Sequence, residues 1–265
     1  MRLMNDNHQI PEVGFGAMIY DDDTTEAAVT QALNLGYRLI DTAETYGTET
    51  GVGTAIQKSA VSRDDIFLTS KLWPNAETNY AKTIDQFKAS LQRLKQDYLD
   101  LYLIHEPYGN VAEEWRALED LQAAGLIRSI GVSNFNQTQL AELMATARVR
   151  PAVDQIESHP WFNQNELVAY CQANHIIPEA WASLAEGRHG IFQNQTLTTI
   201  AAAHHKSVAQ IILRWDLQRG LVPLAKSESA TRVIENQTIF DFELSQLELN
   251  QVNQLNTNTS LYPSY

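Results

Sequence analysis

The chain has 265 residues, 44% of them hydrophobic and 19% charged, a balance that supports a large buried core and carries no mark of disorder. Nineteen basic against thirty-two acidic side chains leave a formal net charge of −13, which repels phosphate backbones and anionic bilayers, so neither nucleic acid nor membrane is expected as a partner. The lone Cys171 excludes an intrachain disulfide and a cysteine-based zinc site, and Met1–Ile10 holds neither a signal-peptide core nor a spanning run, so a soluble cytoplasmic monomer is expected.

In chain order, short apolar runs alternate with stretches of helical periodicity. A strand at Val13–Ala17 leads into a helix at Thr24–Leu35, which Asp23 or Thr24 would cap and Gly36 would end. Strand Tyr37–Asp41 is followed by helix Thr48–Gln57, strand Ile66–Lys71 by helix Ala81–Leu94, and strand Tyr98–His105 by helix Val111–Ala124, which stops at Gly125. Strands Ile127–Val132, Ala152–Ile156 and Ile176–Trp181 alternate with helices Thr138–Ala147, Asn165–Ala173 and Leu197–His204; helix Ser207–Gln218 and strand Leu221–Ala225 close the series. No linker or low-complexity tract divides the chain, so residues 1–265 read as a single domain.

Eight strands alternating with helices imply a parallel sheet, either open or closed. An open dinucleotide-binding sheet would carry G-x-G-x-x-G after its first strand, whereas Gly14 and Gly16 have no third glycine at the required spacing. The expected architecture is therefore a (β/α)₈ TIM barrel, whose working residues gather at the C-terminal ends of the strands.

Four polar residues stand at or just after those ends. Asp41 closes the run Tyr37–Asp41, Lys71 ends Ile66–Lys71, His105 ends Tyr98–His105, and Tyr46 lies in the loop beyond Asp41. Singly, each has a plainer role as a cap, a core ring or a surface charge. Together they suggest proton handling, because an aspartate keeps a buried lysine charged, and that ammonium would lower the pKa of a nearby tyrosine, ordinarily roughly 10. His105 would orient a carbonyl oxygen toward Tyr46. Without an evident serine or cysteine nucleophile, a bound hydride donor is the economical partner for that acid.

These residues, within the segments "GYRLIDTAETYGTE", "FLTSKLW", "DYLDLYLIHEP", "WRALEDLQAAGLIRSIGVSNF", "QIESHP", "EAWASLAEGR" and "LAKSESATRVIEN", resemble the aldo-keto reductase superfamily from about Ile10 to Leu261. The likeness is to its bacterial NADPH-dependent branch, which includes 2,5-diketo-gluconate reductases. It implies a barrel that binds NADPH/NADP⁺ without a Rossmann domain and reduces aldehydes, ketones and dicarbonyls. The family's catalytic tetrad falls on Asp41, Tyr46, Lys71 and His105. For the cofactor, the resemblance implies Ser133, Asn134 and Gln155 at the nicotinamide carboxamide, Met18 and Asp41 nearby, and Trp181 stacked on the ring. It also implies the backbone of Ala182, Leu184 and Glu186 at the pyrophosphate, Lys226, Ser227 and Arg232 at the 2′-phosphate, and Glu235 and Asn236 at the adenine. Met18, Tyr20, Trp73 and Glu106 would line the substrate cleft.

Four departures stand out. Thr48 and Glu106 replace an asparagine and an aromatic or amide side chain common in the family, and both would border the site. Glu106 would disfavour anionic substrates if it faces them, while solvent is the usual place for a glutamate. Ser183 replaces a common proline and would loosen its loop. The ending "NTNTSLYPSY" implies a short C-terminal lid and an open, permissive pocket. Two other functions compete with carbonyl reduction: a cofactor-binding regulatory subunit of the same fold, and a metal-dependent barrel hydrolase, suggested only by seven histidines that do not cluster.

Overall fold

The computed structural model describes residues 1–19 and 21–262. A short antiparallel hairpin, β1 (Arg2–Leu3) with β2 (Gln9–Ile10), precedes the barrel. Strands β3 (Gly14–Gly16), β4 (Leu39–Asp41), β5 (Phe67–Leu72), β6 (Leu99–Ile104), β7 (Ile127–Ser133), β8 (Val153–Glu157), β9 (Ile177–Trp181) and β10 (Val222–Ala225) pair in parallel and in sequence order. Pairing of β10 with both β9 and β3 closes the barrel, the alternative that the absence of a G-x-G-x-x-G motif after the first strand favours.

Between the strands run α1 (Asp22–Asn34), α2 (Glu49–Lys58), α3 (Tyr80–Leu94), α4 (Val111–Ala123), α5 (Gln137–Thr146), α6 (Asn165–Ala173), α7 (Gln195–His204) and α8 (Val208–Gln218), followed by α9 (Ala230–Gln237) and α10 (Gln246–Asn253). The cap of α1 is Asp21, two residues before Asp23 and three before Thr24: its Oδ1 accepts from the Thr24 N–H at 2.7 Å. Residues from the outer face of the strands and the inner faces of the helices form one apolar cluster that includes Phe15, Tyr37, Leu68, Tyr102, Trp115 and Ile130.

Side chains alternate across each strand, so residues two apart share a face. The lumen pairs Leu39 with Asp41, Phe67 and Thr69 with Lys71, Val153 with Gln155, and Ile177 with Glu179. Its lower part is an apolar layer in which Leu39, Phe67, Leu101, Leu103, Val153 and Leu224 pack together. The hairpin plugs this end with Met4 and Ile10, both buried, so the polar-looking N-terminal segment has a structural role that its composition did not reveal. Polar side chains succeed the apolar layer only toward the C-terminal end.

Close helix packing depends on glycine at two positions of α2, where Gly51 approaches the Asp22 carbonyl of α1 and Gly53 the end of α3. A Cβ at Gly53 of α2 would lie 2.3 Å from the carbonyl oxygen of Leu94, at the end of α3. Gly53→Ala should therefore destabilise the fold by about 2 kcal/mol, although alanine is the better helix former, because backbone must move to admit the methyl group. A urea midpoint equal to that of the unaltered chain would contradict this close approach.

Candidate active site

The lumenal polar layer is built around Lys71, which is fully buried on β5. Its Nζ donates to Asp41 Oδ1 at 2.6 Å, to the Thr42 carbonyl at 2.9 Å and to Tyr46 Oη at 3.3 Å. These three acceptors account for its three N–H bonds. Asp41 reaches Lys71 because β4 and β5 are neighbours in register, with Asp41 opposite Thr69. Tyr46 reaches it because a single 3₁₀ turn, Glu44–Tyr46, ends at Gly47 in the left-handed region (φ 68°), folding the tyrosine over the strand ends. The ammonium also lies 4.9 Å from the centre of the Tyr46 ring.

Burial would strip the proton from Lys71, but the Asp41 charge and then Tyr46 outweigh it and hold the ammonium's pKa above its ordinary value. Tyr46 departs from the sequence expectation. Burial raises its pKa, Lys71 pulls it down and the charges of Asp41 and Glu106 push it up, so that the hydroxyl stands above the usual tyrosine range. Lys71 thus moderates a rise caused by desolvation instead of producing a net fall.

His105 follows β6 with its ring edge-on to Tyr46 (5.7 Å between centres) and to Trp73 (5.2 Å). Burial, aided by the Lys71 charge, lowers its pKa to about 2, so the imidazole is neutral. Its Nδ1 has no protein partner among the described residues. Tyr46, Lys71, Asp41, His105 and Trp73 are therefore drawn together.

Ser133 ends β7, and its Oγ donates to the Gln155 carbonyl at 2.8 Å. Gln155 uses its amide nitrogen twice, donating to Asp41 Oδ2 at 2.9 Å and to Glu179 Oε2 at 2.6 Å. Glu179 was missed by sequence reasoning. It faces the lumen between Ile177 and Trp181 and places a second carboxyl group beside a single ammonium. Burial and then the Asp41 charge push its pKa upward, with Gln155 and Lys71 opposing. The period-two pattern of "IPEAW" was the signal available for it.

Asn134, just after β7, takes the left-handed conformation (φ 63°). Its Nδ2 donates to Glu106 Oε1 at 2.7 Å and its Oδ1 accepts from Trp181 Nε1 at 2.9 Å. Glu106 is thus neither a solvated glutamate nor an open wall of the cleft, being only 4% exposed. Thr48 does not line the cleft either; it is buried, donates to the Ala17 carbonyl at 3.0 Å, and pairs with Thr42 Oγ1. Met18 is exposed on the loop after β3, and Tyr20 lies outside the described residues.

The loop after β9 holds Ala182, Ala185 and Glu186 in left-handed conformations, while Leu184 and Ala185 pack with Ile191 and Trp215 in an apolar cluster. Ser183 does not free this loop: it is buried, with its hydroxyl 3.5 Å from the Ala180 carbonyl. Beyond β10, Lys226 is exposed and Ser227 is buried, its Oγ accepting the Ser229 N–H at 3.1 Å. Helix α9 then carries exposed Arg232, half-buried Glu235 and buried Asn236. The C-terminal segment returns to the mouth. Glu157 Oε1 accepts the Leu261 N–H at 2.7 Å, and the Tyr262 ring lies 5.6 Å from Trp181.

Among the described residues, no group of three or more His, Cys, Asp or Glu side chains is placed to hold a metal ion, and no helix is long and apolar enough to cross a membrane. His159 and His204 each bond one carboxylate, Glu157 and Glu248 respectively. An NADP-type cofactor fits the donor set: two side-chain amides and a serine stand beside the proton-handling cluster, and a lysine and an arginine follow the last strand. At Gly16, paired with Asp41, an added Cβ would meet nothing within 4 Å, so the lumen opens above this layer.

A closed parallel barrel with a buried lysine–aspartate pair, a half-buried tyrosine on that lysine and a neutral histidine at its C-terminal mouth defines an enzyme-like barrel equipped for proton transfer. The chain belongs to the aldo/keto reductase family, whose model matches residues 12–257. It is 45% identical over 258 residues to the glyoxal reductase of Bacillus subtilis, covering 97% of this chain and 92% of that protein. It is 40% identical over 261 residues to the methylglyoxal reductase of Yersinia pestis, covering 97% and 93% respectively. The crystal structure of a Bombyx mori aldo-keto reductase in complex with NADP superposes with a TM-score of 0.93 at 35% identity, covering 100% of this chain and 96% of that one.

Proposed function

We propose that the protein reduces aldehydes, ketones and small dicarbonyls to alcohols, with NADPH as reductant. The observation that carries this reading is Lys71 Nζ held simultaneously by Asp41, Thr42 and Tyr46 beneath an open mouth. The relatives named for glyoxal and methylglyoxal reduction support dicarbonyls as the substrate class.

Asp41, Tyr46, Lys71 and His105 act as a unit. Tyr46 keeps its proton at neutral pH and delivers it to the carbonyl oxygen; Lys71, adjacent to Oη, then stabilises the phenolate left behind. Asp41 keeps Lys71 charged. Neutral His105 offers a hydrogen bond that aims the carbonyl oxygen at Tyr46 without placing another cation in the cleft. NADPH, when bound, supplies the hydride to the carbonyl carbon.

Ser133, Asn134, Gln155 and Trp181 would hold the nicotinamide end with Met18 and Asp41 beside it, and the backbone of Ala182, Leu184 and Glu186 would take the pyrophosphate. Lys226, Ser227 and Arg232 would take the 2′-phosphate, with Glu235 and Asn236 at the adenine. Met18 and Trp73 would wall the substrate cleft, and the protein would act as a cytoplasmic monomer.

The test is NADPH and NADH consumption at matched concentrations with glyoxal, methylglyoxal and a short aldehyde series. Turnover preferring NADPH supports the reductase; tight NADPH binding without turnover would favour a regulatory role instead. Arg232→Ala should raise the KM for NADPH about tenfold, with the KM for NADH nearly unchanged, because only the former carries the phosphate. Equal losses for both cofactors would remove Arg232 from the phosphate site.

A further inference from the structure

The hydrogen bonds around Asn134 form a chain that the proton-transfer cluster does not use. Glu106 Oε1 accepts from Asn134 Nδ2 at 2.7 Å, the His105 carbonyl lies 3.3 Å from the same nitrogen, and Asn134 Oδ1 accepts from Trp181 Nε1 at 2.9 Å. An amide can turn over by exchanging oxygen and nitrogen, but two acceptors at the nitrogen and one donor at the oxygen favour a single orientation. The side chain that sets this orientation is a nearly buried carboxylate on a different βα loop.

We propose that Glu106 is a positioning residue for cofactor binding: it fixes the Asn134 amide and, through it, the Trp181 indole. This rests on the reading of Asn134 and Trp181 as holders of the nicotinamide end.

An ionised carboxylate accepts from Asn134 more strongly than a protonated one, so the clamp varies with the charge on Glu106. Burial raises the Glu106 pKa to about 7, against the pull of the Asn134 hydrogen bond. The titratable groups around it are Tyr46, which feels its charge, and His105, held neutral; Lys71 is committed to Asp41, Thr42 and Tyr46. The carboxyl group is protonated below about pH 7, so the stronger clamp is present above that pH.

The test is the dissociation constant of NADPH and of NADP⁺, read by quenching of tryptophan fluorescence between pH 6 and 8.5. For the unaltered chain, affinity should rise severalfold with a midpoint near pH 7. Glu106→Gln keeps an acceptor for Asn134 but cannot ionise, so it should retain binding and lose the midpoint. Glu106→Ala should bind about tenfold more weakly at pH 8, the scale of a lost charge-assisted hydrogen bond. A midpoint that persists in Glu106→Gln, or an alanine variant that binds like the unaltered chain, overturns the proposal. If that alanine variant also reduces dicarbonyls with NADPH, the reductase reading stands while the role of Glu106 falls.

Discussion

Tyr46→Phe is expected to lower kcat for methylglyoxal reduction by about 10³-fold, within the range usual for loss of a positioned general acid, while the dissociation constant of NADPH changes little. The ring would still stack near His105 and beside the Lys71 ammonium, so removing the hydroxyl deletes the proton and leaves most of the packing. The two readouts separate chemistry from binding. If NADPH affinity collapsed along with kcat, the hydroxyl would be part of the cofactor site. A variant retaining more than a tenth of kcat would mean that another group, His105 or water, delivers the proton.

The second large effect concerns stability. Lys71 is fully buried and Asp41 is 3% exposed, and breaking such a pair leaves one charge without compensation. Asp41→Asn should cost about 3 kcal/mol, because its amide oxygen can still accept from the ammonium but no longer offsets that charge, and its NH2 group would face the donating amide of Gln155. Adding Lys71→Met to it should recover much of that stability while activity remains absent, since the double variant removes both charges and fills the space with an apolar chain of similar length. Denaturant midpoints of the single and double variants measure the coupling. Additive losses would show that the two charges do not depend on each other.

The strands were legible because hydrophobic period and length are local properties, and the proton-handling residues were legible because a barrel has one reactive end. Side-chain partnerships were less so. Nothing local to "LIHEP" shows that Glu106 turns toward Asn134 on the next strand's loop, since a glutamate is ordinarily solvated. The net rise in the Tyr46 pKa was hidden for a related reason: pairing with Lys71 was readable, but the desolvation opposing it depends on how all the loops pack. The hairpin escaped because its strands are two residues each, too short for periodicity. Helix α10 escaped although "SQLE" carries the signal, with Ser245 and Glu248 forming a capping box.

The contact of Gln155 with Asp41 joins residues 114 positions apart, from strands that are not neighbours in the barrel. A chain that had assembled only its first half would hold Lys71 and Asp41 without Gln155 or Glu179, and water would flood the lumen around them. Only a completed ring can keep this layer dry. The catalytic floor is therefore also a latch, and the conditions that prepare Tyr46 for its chemistry arise only after assembly has reached its final register.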